Sequence, residues 1–162
     1  MKKLSLLLVA IGFISLSYSE ANAQAMGSDY KNAIGGRFGA YNGITFKTFV
    51  NNQAALDFIL NFRSKKEYST FRLNGLYEIH NGINNAPGLR WYYGAGAGIG
   101  SFKWKHSNES ELFLSIDGVL GLDYKFNGAP INLSLDWKPA IEVTPDTEFD
   151  GAGVGLSIRF AF

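Results

Sequence analysis

A chain of 162 residues with 46% hydrophobic, 15% aromatic and 18% charged residues is long enough for one folded domain and too apolar for a disordered one. Its 15 basic and 14 acidic side chains nearly cancel, which excludes the clustered positive field that a nucleic-acid partner needs. It has no cysteine, hence no disulfide framework and no residue for a lipoprotein anchor.

The first element is a secretory signal over residues 1–23. Lys2 and Lys3 form its basic start, "LSLLLVAIGFISL" its apolar core, and Ala21-Asn22-Ala23 a small-x-small cleavage site before Gln24. Ala23-Gln24-Ala25 offers a second cut, before Met26. The apolar run is too short to span a bilayer as a helix, which takes about 20 residues. Removing it takes away Lys2, Lys3 and Glu20 and leaves a domain of residues 24–162 with balanced charge.

That domain reads as eight strands of period 2. "AIGGRFGAY" and "GITFKTFV" carry Arg37 and Lys47 on their polar sides. "ALDFILNFR" sets Leu56, Phe58, Leu60 and Phe62 against Asp57, Asn61 and Arg63. "FRLNGLYEIH" sets Phe71, Leu73, Tyr77 and Ile79 against Arg72, Asn74, Glu78 and His80, with Leu76 breaking the pattern. In "WYYGAGAGIGSF", Trp91, Tyr93, Ala95, Ala97 and Ile99 alternate with Tyr92 and a row of glycines. "LFLSIDGVLGLDYK" brings Asp117 and Asp123 to the polar side, "INLSLDWK" brings Asp136 and Lys138, and "GAGVGLSIRFAF" brings Arg159. Asn42-Gly43, Asn51-Asn52, Asn81-Gly82, Asn127-Gly128 and all four prolines fall between strands or at their ends, where turn chemistry places them.

Alternation alone does not say which face is inside, because soluble and membrane barrels share it with opposite orientation. The glycine rows decide the matter. On a wet surface they have no purpose, whereas in a narrow lumen they make room for long side chains from other strands. The lumen is thus expected to hold Arg37, Lys47, Arg63, Arg72, Lys138 and Arg159 beside Asp57, Glu78, Asp117, Asp123 and Asp136. Eight strands enclose a space just wide enough for side chains to fill, so these charges must pair, and a plug of ion pairs replaces an oily core. The outward face is apolar. Its large aromatics, Tyr77, Trp91, Tyr93, Tyr124 and Phe160 toward one rim and Phe71 and Trp137 toward the other, match the girdles that bilayers select. An even strand count returns both ends of the chain to the periplasm. The outward loops are then 41–43, 63–69, 103–111 and 139–150.

The signal peptide, the alternating strands, "YYGAGAGIG", "LSLDWKP" and the terminal "SIRFAF" resemble the small eight-stranded outer-membrane β-barrels of Gram-negative bacteria, the family that includes the membrane domain of outer-membrane protein A. The resemblance implies an all-β, antiparallel up-and-down transmembrane barrel of eight strands in the outer membrane. It also implies that Ile158, Phe160 and Phe162 form the terminal signal read by the barrel-assembly machinery. Its expected partners are outer-membrane lipids and lipopolysaccharide, with no cofactor, and no cell-wall-binding domain is expected.

Catalytic and metal chemistry has few footholds. His106, Ser107 and Glu109 in "KWKHSNESE" invite a Ser-His-acid reading. The lipid A deacylase barrels, however, hold such residues on strand faces with histidine and serine two apart, and here the two are adjacent in a polar loop. Glu142, Asp146, Glu148 and Asp150 lack the fixed spacing of a cation site. "GAGAGIG" has no helix after it, which removes the nucleotide-loop reading. The expected role is therefore non-enzymatic: envelope integrity or surface contacts through the loops. A lipid A or phospholipid modifying enzyme and a narrow channel for small solutes are the alternatives.

Overall fold

A computed structural model describes residues 30–64, 66–106 and 110–162. The expected signal peptide and both candidate cuts lie outside them, as do Ser107 and Glu109. Ten strand segments follow in order: β1 (Asn32–Gly39), β2 (Asn42–Phe49), β3 (Ala54–Ser64), β4 (Tyr68–Gly82), β5 (Leu89–Trp104), β6 (Ser110–Lys125), β7 (Ile131–Trp137), β8 (Ala140–Thr144), β9 (Glu148–Asp150) and β10 (Val154–Ala161). Each pairs antiparallel with its neighbours. β1 pairs with β10, and β5 with β6, so the sheet closes on itself and has no edge along most of its height.

Eight barrel strands result, because β7 and β8 are two parts of one strand and β9 and β10 of another. Both β7 and β8 pair with β6, at Leu120–Lys125 and at Leu114–Asp117. The break between them falls at Lys138-Pro139, where the proline has no N–H to give the ladder. The closure is staggered. Cross-strand partners followed once round from Phe160 run through Ile34, Phe46, Phe58, Gly75, Ala97, Ile116 and Ile141, and return to the starting strand at Phe149. Every residue on that path is apolar and lies on the outer wall.

The expected loop 139–150 is corrected by these pairings. Its first and last residues form the hairpin β8–β9, with Ile141 opposite Phe149 and Glu142 opposite Glu148, and only the tip between the two strands is a loop. The short alternation "AIEVT" carried the signal, hidden by the prolines on either side. The other turns sit close to expectation. Between β4 and β5 the connection spans only residues 83–88, because β4 extends to Gly82.

The interior is more polar than the exterior. Among the described residues, 19 polar or charged side chains are buried against 12 apolar ones, while phenylalanines, leucines and isoleucines of every strand stand exposed. The expected lumen without oily parts is corrected here too. Ile59, Leu76, Tyr92 and Val119 form one buried apolar cluster, and Tyr30, Ala33, Phe49, Ala55 and Ala161 form a second at the end of the barrel where the chain terminates. Leu76 keeps the inward parity of Asn74 and Glu78, and is apolar there because it belongs to the first of these.

Glycines on the inner wall leave the space these groups fill. A Cβ at Gly98 would strike the side chains of Asn74, Ser115 and Asp117, whereas one at Gly75, on the outer wall, would make only ordinary contact with the Phe58 ring at 3.7 Å. Gly98→Leu should therefore cost about 1–3 kcal/mol by overpacking, and Gly75→Ala should be neutral or stabilising by about 0.4–1 kcal/mol. Urea midpoints of the two variants in detergent check this, and equal midpoints would be at odds with the assignment of faces.

Candidate functional site

Chemistry-bearing side chains concentrate along the barrel axis because alternate residues of every strand project there. The central knot joins β2, β3, β4, β7 and β10. Arg159 donates from Nη2 to Asp57 Oδ2 at 2.8 Å, from Nη1 to Ser134 Oγ at 2.7 Å, and from Nε to Thr45 Oγ1 at 3.1 Å. Beside it, Lys47 Nζ lies 2.7 Å from Glu78 Oε2, 3.8 Å from Asp57, 3.7 Å from Asp123 and 4.3 Å above the centre of the Tyr92 ring. Arg159, Lys47, Asp57 and Glu78 are all at most 1% exposed. Such burial is tolerable only because each charge meets an opposite one at contact distance.

Two further groups flank the knot. Toward the outer rim, Arg37 forms a two-pronged pair with Asp136, at 2.7 and 2.6 Å, and Tyr92 donates to the same carboxylate at 2.9 Å. Asp117 accepts from Asn74 at 2.6 Å and faces Lys138 Nζ at 3.5 Å. Toward the other end, Asp123 accepts from Asn132 at 2.9 Å and from Tyr30 at 3.3 Å, and His80 Nε2 lies 3.0 Å from Glu78.

Ten of the eleven charges expected in the lumen are buried there. Arg63 is the correction. It sits half-buried at the outer rim, its guanidinium carbon 5.2 Å from the Tyr41 ring centre, because β3 runs past the level of the plug before reaching it. Arg90 was missed, and is buried with its guanidinium carbon 5.6 Å from the Phe49 ring centre. Its alternation with Tyr92 could have revealed it.

Above the plug the outer mouth is built around Arg72, which pairs with Glu142 and lies 4.0 Å from Asp150, with its guanidinium carbon 4.7 Å from the Phe113 ring centre. These contacts place two of the four acids expected in the last loop on a cation of the barrel. Among the described residues no group of three or more potential metal ligands occurs. His106 is exposed, and the serine and glutamate considered with it fall outside the described residues.

The outer wall carries the expected aromatics, but the rim expected for Trp137 is corrected: its strand continues through β8, and it lies opposite Leu120, the partner of Tyr93, lining one surface hollow with Trp91. Tyr77, Trp91, Tyr93, Tyr124 and Trp137 are each 37–49% exposed, Trp91 stacks on Tyr93 at 5.5 Å, and Trp137 Nε1 donates to the Gly151 carbonyl at 2.8 Å. Ile158, Phe160 and Phe162 also face outward. Phe162 is held in place by paired backbone bonds to Asn32, both 2.8 Å.

A polar, ion-paired interior inside a closed apolar wall of eight strands decides the architecture. The fold is that of the small outer-membrane β-barrels. Among solved structures, the N-terminal β-barrel domain of Pseudomonas aeruginosa OprF matches at a TM-score of 0.63 and 16% identity, over 81% of this chain and 95% of that one. Neisserial surface protein A matches at a TM-score of 0.56 and 9% identity, over 81% of this chain and 93% of that one. At these identities the likeness is one of fold. No protein-family model matches the sequence, and neither does any curated protein.

Two measurements probe this site. Arg159→Met leaves Asp57 buried without its strongest partner and should lower unfolding stability by about 3–5 kcal/mol in a urea titration. A loss near zero would show the pair to be dispensable. At the rim, Tyr41 donates to Asp150 at 2.5 Å. Burial, with that hydrogen bond, pushes the Tyr41 hydroxyl up to about 12 from its usual 10.0. Burial alone would raise the Asp150 carboxyl, but bonds from Tyr41 and the Ala152 N–H, with Arg72 nearby, hold it below the usual value. A raised phenol contributes stability that is complete below its unfolded value and is lost as pH climbs through the folded one. The stabilising effect of Tyr41 over Tyr41→Phe should thus be full at about pH 9 and shrinking by about pH 11, measured as the difference in urea midpoint.

Proposed function

We propose that this chain is an integral protein of a Gram-negative outer membrane, delivered by its signal peptide. It has no catalytic role, and serves envelope integrity or surface contacts through its outer loops. The observation that carries the reading is the inversion of the molecule, with an exposed apolar wall all round an interior of buried ion pairs. Water would penalise that wall, and only a bilayer makes it favourable.

In this reading Arg37, Lys47, Asp57, Glu78, Asp117, Asp123, Asp136, Lys138 and Arg159 serve as a structural plug, with Arg72 above them at the mouth, rather than as a conduction path. Their mutual contacts fill the lumen, and a permeant ion would have to displace paired charges to pass. Tyr77, Trp91, Tyr93, Tyr124 and Trp137 anchor the barrel in the membrane interface, lipids and lipopolysaccharide surround it, and Ile158, Phe160 and Phe162 present its last strand to the assembly machinery.

Membrane fractionation and gel migration before and after boiling test the placement, and bilayer recording of the purified protein tests the plug. The expected results are membrane recovery, a heat-dependent shift and no steady conductance. Soluble recovery without a shift would refute the membrane reading, and steady single-channel currents would refute the plug.

A further inference from the structure

The outer rim is divided by charge, and the division follows the strand order. β8 and β9 carry Glu142, Glu148 and Asp150, with Asp146 at the tip between them. Nearly half-way round the barrel, at and just past the ends of β3, β4 and β5, stand Lys66, Lys103 and Lys105, with Glu67 as the one acid beside them among the described residues on the outward side.

On this basic sector the outer wall changes character in steps. Phe62 and Phe71, opposite each other and 5.4 Å apart between ring centres, are 50% and 44% exposed. The next outward-facing row holds Ser64 and Ser69, paired across β3 and β4, and Lys103 opposite Ser69 on β5. Lys105 lies beyond, its backbone N–H bonded to the Glu67 carbonyl at 2.9 Å and its Nζ to Ser64 Oγ at 3.1 Å. Ser64, Lys66, Glu67 and Lys105 line an open hollow of about 640 Å³. Phenylalanine, then hydroxyl, then ammonium is the order in which a lipid leaflet presents its acyl chains, its glycerol or sugar, and its phosphate.

Resting on the membrane placement proposed above, we infer that Lys103, Lys105 and Lys66 form a site for the phosphate groups of an outer-leaflet glycolipid. Its sugar lies against the serine row and its acyl chains against Phe62 and Phe71. Charge complementarity selects the occupant: three ammonium groups on one sector favour a phosphate, and the acidic hairpin across the barrel repels one. The barrel is thereby oriented within the leaflet, with its β3–β5 side bound to lipid and its β8–β9 hairpin left free. Lysine on a flexible stem suits the task, because its ammonium can reach upward while its methylenes cover the apolar wall.

The test uses the full chain in micelles, with native mass spectrometry of added lipid A bearing both phosphates and of lipid A stripped of them. The double variant K103Q/K105Q should bind the phosphorylated form about tenfold or more weakly than the unsubstituted chain. It should bind the stripped form equally well, and keep the heat-dependent gel shift. Lys66→Gln should show the same selectivity with a smaller loss, and Asp146→Asn should leave binding unchanged. Equal binding of the phosphorylated lipid by K103Q/K105Q and the unsubstituted chain overturns the site while the heat shift upholds the membrane reading. Absence of the shift in the unsubstituted chain overturns both.

Discussion

The contact between Arg159 and Asp57 at the centre of the lumen is the constraint from which the rest of the molecule follows. Eight strands enclose too little room for water to solvate a buried guanidinium, so every donor of Arg159 has to find a protein partner. The partners come from strands far apart in sequence: Thr45 on β2, Asp57 on β3, and Asn132 and Ser134 on β7. One side chain therefore fixes the relative heights of four barrel strands. Slipping any of them by a residue would replace its polar group by an apolar one and leave a charge unpaired.

Glycine is the complement of this crowding. Tyr92, Arg37 and Phe113 lean over glycines of the adjoining strand, where a side chain would otherwise stand. A Cβ at Gly121 would meet the Tyr92 ring, one at Gly155 the Arg37 guanidinium, and one at Gly100 the Phe113 ring. Large and small residues are thus matched between adjoining strands in the way a core matches them, with aromatic and charged groups as the large members. The two apolar clusters complete the filling, with Lys47 over the Tyr92 ring of one and Arg90 over the Phe49 ring of the other.

Much of this was legible because a barrel converts sequence parity into position. The inner charges from Arg37 to Arg159 follow from alternate spacing alone, as does the outward run of Ile158, Phe160 and Phe162. Three kinds of feature were not legible. Pairing partners such as Lys47 with Glu78 depend on the stagger of closure, which no single strand records. Arg63 keeps the right parity but lies too near the strand end to enter the lumen, and parity carries no information about height. The strands β8 and β9 were masked by Pro139 and Pro145, turn-forming residues that here stand before β8 and at the tip of the hairpin that continues two of the barrel strands.

The last strand shows how one residue out of step places a functional group. Along β10, Gly155, Ser157, Arg159 and Ala161 are buried and face inward, so Asp150, even-numbered like the outward Val154, would face outward if the alternation continued. The pairing does not continue in step. Val154 lies opposite Trp137, yet Asp150 lies opposite Ala140, so the strand holds one more residue than its partner between those two pairs. The segment Gly151-Ala152-Gly153 absorbs it, and a Cβ at Gly153 would collide with the Lys138 carbonyl. The extra residue reverses the faces of β9. Asp150 turns toward Tyr41 and Arg72, and Phe149 turns outward at 65% exposure. Without that insertion a carboxylate would stand on the outer wall and a phenylalanine over the mouth. The two glycines are therefore as necessary to the charge arrangement of the outer rim as the acid itself.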